Sequence, residues 1–200
     1  MTTETPRRTQ IEDAASALFG ERGYRATSVR DIAQALNIQG PSLYAHVSSK
    51  EDVLWSIVER AAARFHGEVG PIAASTEPAP ARLRRMIEAH VAVVTEGQRD
   101  AAVFLHEWRF LSDARRDDVA ARRDSYERLF RDVIADGTNS GHFADVDPKL
   151  TAMAILSALN GIATWFSPSG EQTAQEIADR YGDLFIRALK EDHFMSRTFG

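Results

Sequence analysis

"SVRDIAQALNIQGPSLYAHVSSKEDV", residues 28–53, packs three helix starts into one short stretch. Ser28-x-x-Asp31 has the form of a capping box, in which a hydroxyl takes a first-turn N–H and the acid reaches back. Gly40-Pro41 opens a second helix, because proline's missing N–H has no partner in a first turn anyway. Ser48-Ser49-Lys50-Glu51 opens a third. Between these starts, Val29, Ile32, Ala33, Leu36, Ile38, Leu43 and Val47 fall where they face inward. They would meet Leu18 and Phe19 of a preceding helix over roughly 7–22, which Gly23 stops. The separator Asn37-Ile38-Gln39-Gly40 has the length of the turn in a helix-turn-helix, whose second helix enters the DNA major groove.

If those residues close a three-helix unit, the others point outward. Gln39 and Ser42 then sit at the start of the reading helix, where base edges are reached. Gly40 and Ala45 are small enough for close approach, and Ala45 can touch a thymine methyl. Thr27, Ser28, Arg30, Tyr44, His46 and Lys50 ring them, each able to donate to a phosphate oxygen. The same side chains also make ordinary solvated surface. Spacing alone therefore leaves two readings open, a DNA reader and a helical adaptor that binds protein.

The wording of the stretch separates them. A-x-x-L-F-x-E-R-G-Y-x-A-T-S-V-R-D-I-A (15–33) and L-N-I-Q-G-P-S-L-Y-A-H-V-S-S-K-E-D-V-L (36–54) resemble the N-terminal domain of the TetR family of bacterial transcriptional repressors. The resemblance implies an all-α chain of about nine helices. Residues 1–50 would form the helix-turn-helix DNA-binding domain and 51–200 a ligand-binding and dimerisation domain. It also implies a homodimer on a palindromic double-stranded operator, and it carries Gln39, Gly40, Ser42 and Ala45 over to the bases. Thr27, Ser28, Arg30, Tyr44, His46 and Lys50 carry over to the phosphates.

Composition is permissive. The 200 residues hold 24 Lys and Arg against 29 Asp and Glu, with no cysteine, which excludes disulfides, thiolate metal sites and a Cys nucleophile. Residues 1–50 are close to neutral, so the acidity belongs to the later part and leaves the first free to meet a polyanion locally. The polar opening MTTETPRRTQ and the absence of a long apolar run imply a cytoplasmic protein with no membrane span. No Gly-rich phosphate loop, H-E-x-x-H pair or nucleophile elbow occurs, so an enzyme, even one acting on acyl-CoA, is the weaker alternative. No cofactor or metal is expected.

Helical periodicity continues to the end. A fourth helix runs to about Gly67 or Gly70, and PIAASTEPAPA (71–81) reads as a connector. Helix five carries Leu83, Met86, Ile87, His90, Val91 and Val94 on one stripe. Helices six and seven are expected over about 99–112 and 115–136, a turn-rich loop over 137–148, and helices eight and nine over about 148–166 and 172–191. Helix eight places Ala154, Ala158, Gly161 and Trp165 on a face small enough for close approach by another helix. Helix nine carries Ile177, Tyr181, Leu184, Phe185 and Ala188. Two such helices per subunit can form a four-helix dimer interface. His90, Phe104, Trp108, Tyr126, Phe130 and Trp165 are candidates to line an effector cavity, and equally serve as plain core. His90, Arg123 and Asn160 are polar residues on apolar stripes and need partners if buried. For Arg123 a neighbouring acid such as Glu107 is one choice.

HEWRFLSDARRDD (106–118), ARRDSYERLF (121–130) and NGIATWFSPSG with EIADRYGDLF (160–170 and 176–185) are similar to actinobacterial family members that sense acyl-CoA thioesters. That resemblance implies a small-molecule effector with an apolar acyl part and an anionic nucleotide part. Trp108 and Trp165 would line the acyl part, and Arg109, Arg122 or Arg123 would meet the phosphate or thioester oxygens.

Overall fold

The computed structural model describes residues 6–190. Among the described residues there are nine α-helices and no strand: α1 Pro6–Arg22, α2 Val29–Ala35, α3 Gly40–Tyr44, α4 Lys50–Ala73, α5 Ala79–Glu96, α6 Gln98–His106, α7 Asp113–Asn139, α8 Pro148–Trp165 and α9 Ala174–Lys190. The expected extension of helix nine to 191 lies outside the described residues. No helix among them is long and apolar enough to cross a membrane. The chain divides into two compact units. One is residues 1–64 with 97–122, the other 65–96 with 123–200, so α4 and α7 each contribute to both.

In the first unit, the caps anticipated from sequence are present. Ser28 Oγ accepts from Asp31 N while Asp31 returns to Ser28 N at 2.7 Å. Ser49 Oγ accepts from Asp52 N at 3.0 Å and starts α4. Between α2 and α3 the backbone turns through Asn37 at φ 52, a left-handed conformation that Asn tolerates better than most residues. Ile11, Ala15 and Phe19 of α1 and Ile32, Ala33, Leu43 and Val47 around the turn are buried together with Val53, Leu54 and Ile57.

This unit is also stitched by charge. Glu12 is fully buried and takes Arg8 Nε at 3.0 Å and Arg60 at 3.5 Å. Arg60 reaches Asp100 at 2.8 Å and Asp13 at 3.0 Å, and Ser16 Oγ donates to Asp100 at 2.5 Å. These bonds tie α1 to α4 and α6. The single helix expected over 99–112 is instead α6, a 3-10 turn at Trp108–Phe110, and a new start at Asp113. At that start Ser112 N donates to Glu51 Oε1 at 3.0 Å, and Arg115 reaches Asp52 at 2.5 Å and Glu51 at 3.2 Å.

The second unit is built on α5, whose apolar stripe packs against α8 and α9. Gly182 of α9 permits this approach: a Cβ there would lie 3.0 Å from the Arg84 guanidinium, which pairs with Asp183. Helix α4 runs through Pro71, three residues beyond the stop expected from Gly70, because a proline in a last turn costs only one backbone bond. At the other end of the unit Phe143 folds back onto Gly137 of α7, where a Cβ would stand 2.1 Å from the ring.

Candidate nucleic-acid interface and buried aromatic cluster

The ten residues expected to meet DNA differ in exposure and in their partners. Ser28, Arg30, Gln39, Ser42, Tyr44 and Ala45 are exposed, and Gly40 and His46 half-buried. Tyr44 keeps 55% of its surface in solvent although α3 buries Leu43 beside it. A Cβ added at Gly40 meets nothing within 4 Å, so the fold itself does not require glycine there.

Three of the ten have other work. Thr27 is buried, and its hydroxyl is taken up by the Gly23 and Leu18 carbonyls at 3.0 and 3.3 Å, so it does not face a phosphate as expected. The Ser28 hydroxyl donates its one proton to Asp31 at 2.6 Å, beside the two backbone bonds of the capping box. That hydroxyl holds the Asp31 carboxyl below its usual range. Lys50 Nζ donates to the Tyr24 and Thr27 carbonyls at 2.9 and 2.8 Å and sits 4.0 Å from the centre of the Tyr24 ring. Two of its three protons hold the α1–α2 turn, and partial burial lowers its pKa.

Tyr24, given no role from sequence, is the centre of that turn. Its ring stacks on Phe110 at 5.7 Å and meets Phe19 edge-on at 5.2 Å, and its N–H donates to Glu107 Oε2 at 2.8 Å. Glu107, considered as a partner for Arg123, thus serves the turn before α2. Arg25 lies over the Phe110 ring at 4.8 Å. The signal was present in E-R-G-Y, but its partners are more than 80 residues away in sequence, where spacing gives no guidance.

The nine expected effector residues are shared between the two units. Phe104, Trp108 and Arg109 belong to the first unit, with Phe104 buried, Trp108 half-buried and Arg109 exposed. Arg123 is half-buried in the second unit. Trp165, the last residue of α8, is 48% exposed. What the second unit does bring together is His90, Tyr126, Phe130 and Asn160, joined by Phe65. His90 Nδ1 lies 3.0 Å from the Tyr126 hydroxyl. Phe65 meets the His90 and Tyr126 rings at 5.0 and 5.6 Å, and Phe130 meets Tyr126 at 5.7 Å. Burial forces His90 into its neutral form, with a pKa lowered to about 3, although the Asn160 side chain favours the charged ring. Burial likewise raises the Tyr126 phenol, so both groups are uncharged at neutral pH. His90 Nε2 has no hydrogen-bond partner, and a buried polar atom left so costs about 1–3 kcal/mol. A separate hollow of about 400 Å³, lined by Glu77, Pro78, Ala79, Arg82, Asp136, Asn139, Ser140 and His142, contains none of the expected effector residues.

Helices α8 and α9 expose four large apolar side chains, which on α9 stand among the exposed charges of Asp179, Arg180, Asp183 and Arg187. Leu150, Met153, Trp165 and Leu184 are 65%, 50%, 48% and 60% exposed. Ala158 and Gly161 lie half-buried on α8, and a Cβ at Gly161 meets nothing within 4 Å. Tyr181 and Phe185 are half-buried 6.0 Å apart, and Ala188 is exposed. Ile177 departs from the expected interface, because it is buried in its own subunit's core.

Residues 11–57 match the family described as bacterial regulatory proteins, tetR family, and residues 76–189 match the tetracyclin repressor-like C-terminal domain. The HTH-type transcriptional repressor KstR2 of Rhodococcus jostii is 29% identical over 189 residues, covering 94% of this chain and 93% of that protein. The crystal structure of the TetR family regulator PfmR from Thermus thermophilus superposes with a TM-score of 0.83 at 36% identity, over 90% of this chain and 99% of that one. That of AibR in complex with isovaleryl coenzyme A and operator DNA gives 0.82 at 28%, over 89% and 97%. With its helix-turn-helix and its C-terminal helices both matched, the chain belongs to the TetR family of bacterial DNA-binding transcriptional regulators.

Proposed function

We propose that the chain is a repressor that grips a palindromic operator as a homodimer and releases it when a lipophilic, acyl-CoA-type effector binds. The observation that carries this is the row Gln39, Ser42, Tyr44 and Ala45, exposed at and just after the start of a helix whose Leu43 is buried. Gln39, Gly40, Ser42 and Ala45 read base edges. Arg30, Tyr44 and His46 hold phosphates, with the third proton of Lys50. Glycine at 40, unneeded by the fold, leaves room for the duplex. One reading helix of five residues covers few bases, and a second about 34 Å away completes a palindrome. Exposed and half-buried residues of α8 and α9, Ala158, Gly161, Tyr181, Leu184, Phe185 and Ala188, supply the two-fold contact, and Trp165 joins them.

By function, residues 1–50 read DNA and 51–200 take effector and partner. Helices α4 and α7 run through both compact units and give the effector a covalent route to the reading helices. Effector and DNA then favour different conformers, and each weakens the other. The acyl-CoA class is supported by AibR, described with isovaleryl coenzyme A, and by the buried aromatic cluster around His90.

Fluorescence anisotropy on the chain's own upstream intergenic duplex tests this. Tyr44→Phe should weaken binding to every duplex, and Gln39→Ala should change the order of preference among operators. Added acyl-CoA should release the wild-type protein. Affinity that is unaltered in both variants removes the DNA-reading assignment, and an operator complex indifferent to every acyl-CoA removes the effector class.

A further inference from the structure

The Tyr126–His90 pair can be arranged in two ways. If His90 Nδ1–H donated to Tyr126, the phenol proton and the Nε2 lone pair would both be left unmatched inside the core. If the Tyr126 hydroxyl donates to Nδ1, a single atom is left over, the Nε2–H. The second arrangement leaves fewer buried groups unsatisfied and is the one the hydrogen-bond network assigns. His90 is 1% exposed, with Phe65 at 5.0 Å and Phe130 at 6.3 Å. Asn160 hydrogen-bonds the ring and favours its charged form, yet no group meets hydrogen-bond geometry at Nε2. The core therefore holds one oriented, uncharged donor among aromatic rings.

We propose that His90 Nε2–H is the specificity donor of the effector site, recognising an uncharged carbonyl oxygen, such as that of a thioester, on an otherwise apolar body. This rests on the effector reading above and sharpens it. A neutral donor in an apolar wall matches a carbonyl, which asks for one hydrogen bond and brings no charge. A carboxylate would have to shed its hydration without meeting an opposite charge, and is rejected. Tyr126 is a positioning residue: by donating to Nδ1 it keeps the proton on Nε2.

The test uses the wild-type protein and matched ligands. An acyl-CoA and the S-alkyl-CoA of equal chain length differ only in the carbonyl oxygen. Calorimetry should show the thioester binding about tenfold more tightly than the thioether. The ratio should fall to about one in His90→Phe. The fatty acid of the same chain length should bind more weakly than the thioester. Equal affinity of thioester and thioether, or a fatty acid that binds as tightly as the thioester, overturns the proposal and leaves the acyl-CoA reading standing. If neither CoA compound binds, that reading falls, and a long-chain methyl ketone against the matching alkane decides His90 alone: preference for the ketone supports the donor, and indifference overturns it. Nitrogen-15 NMR of the wild-type imidazole needs no variant. A protonated Nε2 with a bare Nδ1 is expected, losing definition in Tyr126→Phe, and a protonated Nδ1 overturns the assignment.

Discussion

The two compact units both hold ion pairs and ring contacts but differ at their centres. The first, which carries the reading helices, buries Glu12 under Arg8 and Arg60, with half-buried Lys50 on two carbonyls and Arg115 across Glu51 and Asp52. The second centres on rings, with Phe65, Tyr126 and Phe130 around a histidine kept neutral. Charged hydrogen bonds are directional and fix the position of a turn or helix end. Ring contacts are adaptable in detail and exclude water. A part that must present side chains in fixed register to a duplex gains from the first kind, and a part that accepts a lipophilic guest gains from the second.

The largest effect is expected in the second unit. Phe130→Ala removes a fully buried ring and should cost about 4 kcal/mol in urea unfolding, with little response to salt. In the first unit, Arg60→Ala leaves Glu12 with Arg8 alone and Asp100 with Ser16, and should cost about 3 kcal/mol. A smaller loss for Arg60 than for one exposed ion pair would mean that the charged stitching is decorative, and the contrast between the units would fail.

Lys50→Ala sharpens the contrast. Were Lys50 chiefly a phosphate contact, its loss would leave folding untouched and reduce the salt slope of DNA binding by about one. Because two of its protons hold the Tyr24 and Thr27 carbonyls, the expected result is a loss of about 2 kcal/mol in stability with a smaller change in slope. Unfolding curves and a salt titration on one variant decide between these.

How much of this could be read in advance follows from sequence distance. The capping boxes at Ser28 and Ser49, the helix at Gly40-Pro41 and the inward set Ile32, Ala33, Leu43 and Val47 depend on neighbours within a few positions, and all are present. Thr27 was misjudged because the carbonyls that take its hydroxyl belong to the turn geometry and not to the pattern. The break after His106 carries no Gly or Pro to announce it; it is made where Tyr24, Glu107 and Phe110 meet. Trp165 and Ile177 show a different limit. Periodicity marks a residue as apolar-facing but does not say what covers it: Trp165, expected both on a cavity wall and on the small-residue face of α8, is 48% exposed, and Ile177, expected at the dimer contact, is 1% exposed.

The smallest effect isolates the neutral histidine. His90 has a folded-state pKa of about 3 against 6.5 in the open chain. Above pH 6.5 neither state is protonated there and His90 adds no pH dependence. Between those values the unfolded chain binds the proton and the folded one does not, so stability falls as pH falls. The slope for one proton is about 1.4 kcal/mol per pH unit. Glu51 and Asp52 titrate below the ordinary carboxylate range, lowered by the Ser112 N–H and by Arg115 respectively. Their contribution is lost only at more acid pH, and comparing wild type with His90→Phe isolates this one histidine. In His90→Phe the Tyr126 hydroxyl loses its partner, a cost that is the same at every pH. The difference between wild-type and variant stability should therefore tilt by about 1.4 kcal/mol between pH 6 and pH 5. Parallel curves would show a His90 that takes up its proton in the folded core, and the second unit would then hold a buried charge like the first.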